Sequence, residues 1–129
     1  MTPEELKDRA RRTMEESPYP MLATADGDQP RVRPVRPVKT EGFIVYVANQ
    51  RRFAKTVEIE RNPRVELCYL SAARDQVRIT GLAELVLDES EWLGEFDNPE
   101  FILYRIRPAR VRWMREWSTV YHDVPFGPE

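Results

Sequence analysis

The sequence predicts a mainly β domain, an antiparallel barrel of six strands with short helices set between its hairpins. Three observations carry that expectation. Short apolar stretches, several of them alternating with a period of two, follow one another through most of the chain after residue 20. The segments of helical period fall between hairpins and not in a strand-helix-strand rhythm, which argues against a parallel sheet. No glycine-rich loop leads from a strand into a helix, so a Rossmann or P-loop architecture fails. At 129 residues and 41% hydrophobic content the chain makes one domain, 1–129, with one core and no internal repeat, low-complexity tract or linker.

The elements follow in order. Thr2-Pro3-Glu4-Glu5 has capping-box spacing with Pro at the first helical position, and Leu6, Ala10 and Met14 recur every four residues, giving a helix within 1–16. Ser17-Pro18-Tyr19-Pro20 stops it, because proline removes backbone donors and restricts the residue before it. MLATA (21–25) then reads as a strand closed by the hairpin signal Asp26-Gly27. RVRPVRPV (31–38) alternates at first, and its two prolines make it an edge or bulged strand with backbone groups free for a ligand. After a turn at Thr40-Glu41-Gly42, FIVYV (43–47) is a buried strand rich in β-branched and aromatic residues. Residues 51–61 suit a helix stopped by Asn62-Pro63. Val65, Leu67 and Tyr69 share one strand face, and Val77, Ile79, Gly81, Ala83 and Leu85 share another. Residues 88–96 form a short acidic helical segment, and 101–115 is a long last strand in which Pro108 marks a bend or bulge. The tail, 116–129, is irregular.

Composition excludes several classes. Lys plus Arg total 20 against 22 Asp plus Glu, a net charge of -2, which gives no global pull toward nucleic acid or an anionic membrane. No apolar run approaches the roughly 18 residues of a membrane span, and the apolar core of a signal peptide is missing, so the expected location is cytoplasmic. The single cysteine, Cys68, and the single histidine, His122, leave serine proteases, zinc hydrolases and two-thiol redox enzymes without the residues they need. No metal site is expected.

Seventeen of the 20 basic residues are Arg, whose planar fork pairs bidentately with phosphate or carboxylate. High genomic GC content also produces that bias, so position must decide. Arg31, Arg33 and Arg36 lie on the second strand, Arg51 and Arg52 at the start of the second helix, and Lys55 one turn later. Cations gathered at a helix N-terminus favour a phosphate monoester, each charge-assisted contact being worth about 1.5 to 3 kcal/mol. The competing reading is that edge-strand cations block aggregation and that Arg51 and Arg52 are solvated.

Residues 20–87 resemble the pyridoxamine 5'-phosphate oxidase-like, FMN-binding split-barrel superfamily, in particular its small general-stress-protein and nitroimidazole-resistance-like members. The matching stretches are MLATADGDQPRVRPV, GFIVYVANQRRFAKTVEIERNPRVELCYL and RDQVRITGLAELVLD, in the same order and spacing. The resemblance implies a six-stranded split barrel that binds FMN. The family strand lining the FMN phosphate and ribityl chain matches Arg33 through Val38, and so includes Pro34 and Val35. The family threonine ending the third strand falls on Val47, so only backbone contact is implied at Val47 and Ala48. The phosphate-binding lysine falls on Lys55 with Ala54 where oxidases often carry Arg, a cation that Arg51 or Arg52 would replace. Gln76 matches the glutamine directed at the flavin. The resemblance further implies a homodimer with flavin at the interface.

The C-terminal part departs from the oxidases. Pro108-Ala109-Arg110-Val111-Arg112-Trp113-Met114 resembles their terminal strand, and His122-Asp123 recurs at the expected distance, but the flanking arginines fall on Val120 and Val124. Negligible pyridoxamine 5'-phosphate oxidase activity is therefore expected. Trp113 has three readings: core, dimer contact, or a ring reaching the isoalloxazine. His122 reads as a surface residue before a catalyst, and Cys68 as inert packing. Glu84 to Glu100 holds seven acids and no Lys or Arg, most simply a solvated face. Two functions remain: a flavoprotein oxidoreductase acting on a small molecule, or a non-catalytic protein holding FMN, haem or another anionic cofactor on the same barrel.

Overall fold

The computed structural model describes residues 1–50, 54–86 and 101–127. Helix α1 (Pro3–Glu15) starts as the sequence dictates, with Thr2 Oγ1 accepting from the Glu5 N–H at 3.1 Å and Glu5 Oε1 accepting from the Thr2 N–H at 3.3 Å. Its buried stripe of Leu6, Ala10, Thr13 and Met14 lies over one mouth of the barrel, against strands β5 (Arg64–Leu70), β6 (Gln76–Leu85) and β7 (Phe101–Met114). Helix α2 (Ala54–Arg61) packs on β1 (Met21–Asp26) and β4 (Ile44–Gln50). Asn62 and Pro63 end it, with the Asn62 side chain accepting from the Arg64 N–H at 3.1 Å.

The remaining strands are β2 (Gln29–Pro34), β3 (Lys39–Glu41) and β8 (His122–Asp123). All pairings are antiparallel, in the order β2-β1-β5-β6-β7-β4-β3, with β8 against β7. The described sheet has eight strands and is not closed by hydrogen bonds, correcting the count of six. Residues 39–41 pair with β4 instead of forming only a turn, and His122 and Asp123 pair with Trp113 and Arg112 within the stretch expected to be irregular. The second strand also stops at Pro34, short of the expected Val38. Residues 35–38 then cross between the two free edges: the Val35 N–H donates to the Pro20 carbonyl and the Val38 N–H to the Tyr46 carbonyl, both at 2.9 Å. This crossing is the split in the barrel.

Alternation puts Leu22, Leu67, Ile79 and Val111 side by side on the inner face, all at 0% exposure. They centre a core that also takes in Val45, Val47, Ile106 and Trp113. Two glycines are required by geometry. Gly27, with φ of 64°, is the first loop residue of a hairpin whose last pair is Asp26 with Gln29, so the turn is Gly27-Asp28. At Gly81 a Cβ would stand 2.5 Å from the Arg107 carbonyl oxygen, where the β6–β7 register shifts beside Pro108 and produces the expected bulge. The acidic segment expected to be helical, 88–96, lies outside the described residues. Among the described residues no helix is long and apolar enough to cross a membrane.

Candidate functional site

Where β4 runs toward α2, the inward series Val45, Val47, Asn49 puts a carboxamide where the pattern calls for an aliphatic residue. Asn49 is 1% exposed, and among the described residues neither its Nδ2 nor its Oδ1 has a partner. Burying an unbonded amide is costly, so such a group is expected to meet a water or a ligand. Lys55 follows in the first turn of α2, whose N-terminal N–H groups add a partial positive charge. The Lys55 side chain, together with Arg51 and Arg52, lies outside the described residues. Asn49 is the residue that sequence reasoning passed over. It assigned the end of this strand to Val47, which the structure puts in the core at 2% exposure. The period-two pattern from Val45 carried the signal.

One turn along α2, a second buried polar group is bonded to its neighbours. Glu58 Oε2 accepts from Arg33 Nη2 at 2.8 Å and from Thr24 Oγ1 at 2.6 Å, and Arg33 Nη1 also donates to Thr24 Oγ1 at 2.7 Å and to the Leu22 carbonyl at 3.2 Å. The Glu58 side chain is 8% exposed and that of Arg33 24%. Arg33 therefore carries a neutralised charge and anchors α2 to the β1–β2 hairpin. The position that the resemblance puts at the FMN phosphate is thus an ion-paired guanidinium.

Gln76 belongs to the other face of the sheet. It opens β6 beside Arg78 and Thr80, outward-facing in register with Arg112 and Arg110 of β7. Tyr121 Oη donates to Gln76 Oε1 at 3.1 Å, and the guanidiniums of Arg78 and Arg112 stand 5.4 and 5.1 Å from the centroid of the Tyr121 ring. Glu66 accepts from Thr80 Oγ1 at 2.7 Å and sits 3.9 Å from Arg78 and 3.8 Å from Arg112, yet Nε of both arginines is buried without a partner among the described residues. At the rim, a hydrogen bond from Arg110 at 2.8 Å holds the Asp123 carboxyl below the usual aspartate range.

The structure thus puts Asn49 near the end of β4 and Lys55 in the first turn of α2, with Arg33 bonded to Glu58 one turn further along that helix. Val35 is in the core at 7% exposure, Pro34 is exposed at the end of β2, and Ala48 packs outward near Tyr46 and Leu103. Trp113 is 1% exposed, with its indole N–H donated to Thr13 Oγ1 at 3.1 Å, so of its three readings the core one describes its place in this chain. His122 is exposed, its ring 6.0 Å from that of Trp113. Val124, where the oxidase pattern has an arginine, is 3% exposed in the core and donates its N–H to the Val111 carbonyl, while Val120 is 55% exposed. Among the described residues no group of three or more His, Cys, Asp or Glu could hold a metal ion.

An open antiparallel barrel, crossed at its split by a proline-bearing segment and capped by two short helices, defines the class of protein. Within that class residues 6–115 match the pyridoxamine 5'-phosphate oxidase family, and the chain belongs to it. Of solved structures, a Listeria innocua protein described as a pyridoxamine 5'-phosphate oxidase is 25% identical over 84% of this chain and 98% of its own, with a TM-score of 0.73. General stress protein 26 from Bacillus anthracis is 22% identical over 92% of this chain and 98% of its own, TM-score 0.75. An FMN-binding protein related to pyridoxamine 5'-phosphate oxidase, from Nostoc punctiforme, is 16% identical over 93% and 86%, TM-score 0.66. The fold also occurs in a haem-binding protein from Mycobacterium smegmatis, TM-score 0.77, covering 57% of that chain, and in an F420 reductase, TM-score 0.61. No curated protein sequence matches.

Proposed function

We propose that this chain is an FMN-binding flavoprotein, working as a homodimer and exchanging electrons with a small molecule. The observation that carries the reading is the unbonded, buried carboxamide of Asn49, poised where β4 leads to the first turn of α2 and Lys55. Amide, ammonium and helix N-terminus together suit a phosphate monoester. FMN, when bound, supplies the redox chemistry through its isoalloxazine ring. The chain's own part is to hold the phosphate through Asn49 on β4 and Lys55 on α2, while the Glu58–Arg33 pair fixes the helix that carries Lys55.

Two facings support the homodimer reading. Gln76 points outward and Asn49 inward, so one flavin served by both needs a second copy. Met21, Val32 and Leu70, exposed by 47, 68 and 58%, give the outward face of β2, β1 and β5 apolar surface for that copy to cover. The pyridoxamine 5'-phosphate oxidase reaction itself is not proposed. The arginine positions of the oxidases are Val120 and Val124, and the second of these is sunk in the core. Losing a cation opposite a buried phosphate typically costs several kcal/mol.

Calorimetric titration tests the phosphate site: FMN is expected to bind more tightly than riboflavin, and Lys55→Ala to weaken FMN by about 1.5 to 3 kcal/mol. Equal affinity for the two flavins overturns the assignment. A Soret band in place of flavin bands in the purified protein gives the site to haem. Light scattering at micromolar concentration that returns the monomer mass of 15.2 kDa overturns the dimer.

A further inference from the structure

At the α1 end of the barrel, away from Asn49 and Lys55, a cavity of about 320 Å³ lies between the C-terminal turn of α1, the crossing segment and the β3–β4 turn. We propose that this cavity binds a small organic monocarboxylate, held by Arg11 and Arg36 at its rim and by the buried hydroxyl of Tyr69.

Three observations carry the assignment. The first is the hydroxyl. Tyr69 points inward from β5, is 2% exposed, lines the cavity, and its buried Oη has no hydrogen-bond partner among the described residues. A buried unbonded hydroxyl is unfavourable unless something in the cavity accepts its proton. Burial also pushes the phenol up from its ordinary range, so the group stays protonated and remains a donor. The second is charge. The cavity is lined by two guanidiniums and one carboxylate, Glu15. Arg11 is only 3.9 Å from the exposed Asp8, and Arg36 stacks 6.0 Å from the Tyr19 ring with no carboxylate within ion-pair distance among the described residues. One bound monoanion balances the lining, and a guanidinium fork matches a carboxylate. The third is shape. The volume is at the lower end of small-molecule sites, and Met14 and Pro37 in the lining give the ligand body apolar surface.

Benzoate is the probe, with benzamide as its neutral counterpart, added to the purified full-length protein whose tyrosines carry a ¹³C label at Cζ. Tyr69→Phe assigns the Tyr69 resonance. Benzoate is expected to shift it saturably, while benzamide leaves it in place. Arg36→Gln and Arg11→Gln are each expected to weaken benzoate about tenfold, and Tyr69→Phe by a similar factor. Without ligand, Tyr69→Phe is expected to melt no lower than the parent, because it removes an unbonded polar atom and leaves no cavity. No saturable shift, equal response to benzamide, or unchanged affinity in Arg36→Gln overturns the proposal. Tyr69→Phe melting lower with benzoate affinity unchanged also overturns it, because the hydroxyl then serves the fold.

Discussion

The two polar groups that flank α2 differ in one respect. Thr24, Arg33 and Glu58 satisfy one another: a carboxylate at 8% side-chain exposure takes a hydroxyl and a guanidinium at 2.6 and 2.8 Å. Asn49, also buried and near the end of a neighbouring strand, has an amide that bonds to none of the described residues. A closed network holds two elements together and leaves no valence for a ligand. An open one costs stability in the empty protein and recovers it only when something binds. The same contrast separates bonded from unbonded buried polarity among residues that the sequence presents alike.

The largest effect is expected from breaking the closed side. Glu58→Gln leaves the Arg33 guanidinium without its counter-charge and should cost about 2 to 3 kcal/mol in urea unfolding, below the ~3 to 5 kcal/mol of a fully buried pair because Arg33 is partly solvated. A loss under about 0.5 kcal/mol would show that the pair does not hold α2. Asn49→Leu should move the other way. In the cofactor-free protein it should leave stability unchanged or raise it by about 1 kcal/mol, and it should weaken FMN about tenfold. Destabilisation with intact FMN binding would erase the contrast.

Thr24→Val keeps the shape and removes one hydroxyl from the closed network, for an expected cost of about 1 kcal/mol in the same assay. No cost would mean that Glu58 and Arg33 suffice alone. The smallest effect belongs to an ion pair on the surface. Burial pushes the Glu84 carboxyl up, but hydrogen bonds from Arg105 at 2.7 Å and Arg107 at 2.5 Å outweigh it and hold the group below the usual glutamate range. A depressed carboxyl contributes stability above its unfolded value, near 4.3, and loses it as pH falls through the folded value. The melting difference between the parent and Glu84→Gln should therefore be present at about pH 6 and vanish in acid. A difference that persisted in acid would show that the side chain acts by packing.

Much of this was legible in the residues. The capping box at Thr2, the inward runs of β4, β5 and β6, and the Asn62-Pro63 stop are local signals, and the structure follows them. Strands of three and two residues, 39–41 and 122–123, carry no period and are defined only by their neighbours. Nor could local pattern reveal that Arg33 meets Glu58, since the two are brought together only by α2 packing against β1. The family resemblance pointed to Val47 and Ala48 near the end of β4, and the inward facing and unbonded amide of Asn49 emerge only from the structure. Trp113 read three ways because a tryptophan on a barrel strand suits the core and an interface equally. Its bond to Thr13 gives it the core.

The crossing at residues 35–38 has a kinetic consequence. The hairpins β1–β2 and β3–β4 form from near neighbours in the chain, but each must then find a distant strand, β5 for the first and β7 for the second. Only four residues separate the hairpins, and the crossing is bonded at one end to Pro20 and at the other to Tyr46. Once β1 has docked on β5, β4 is held at a high effective concentration for its own encounter with β7. A chain cut within 35–38 would have to complete the second docking as an untethered encounter.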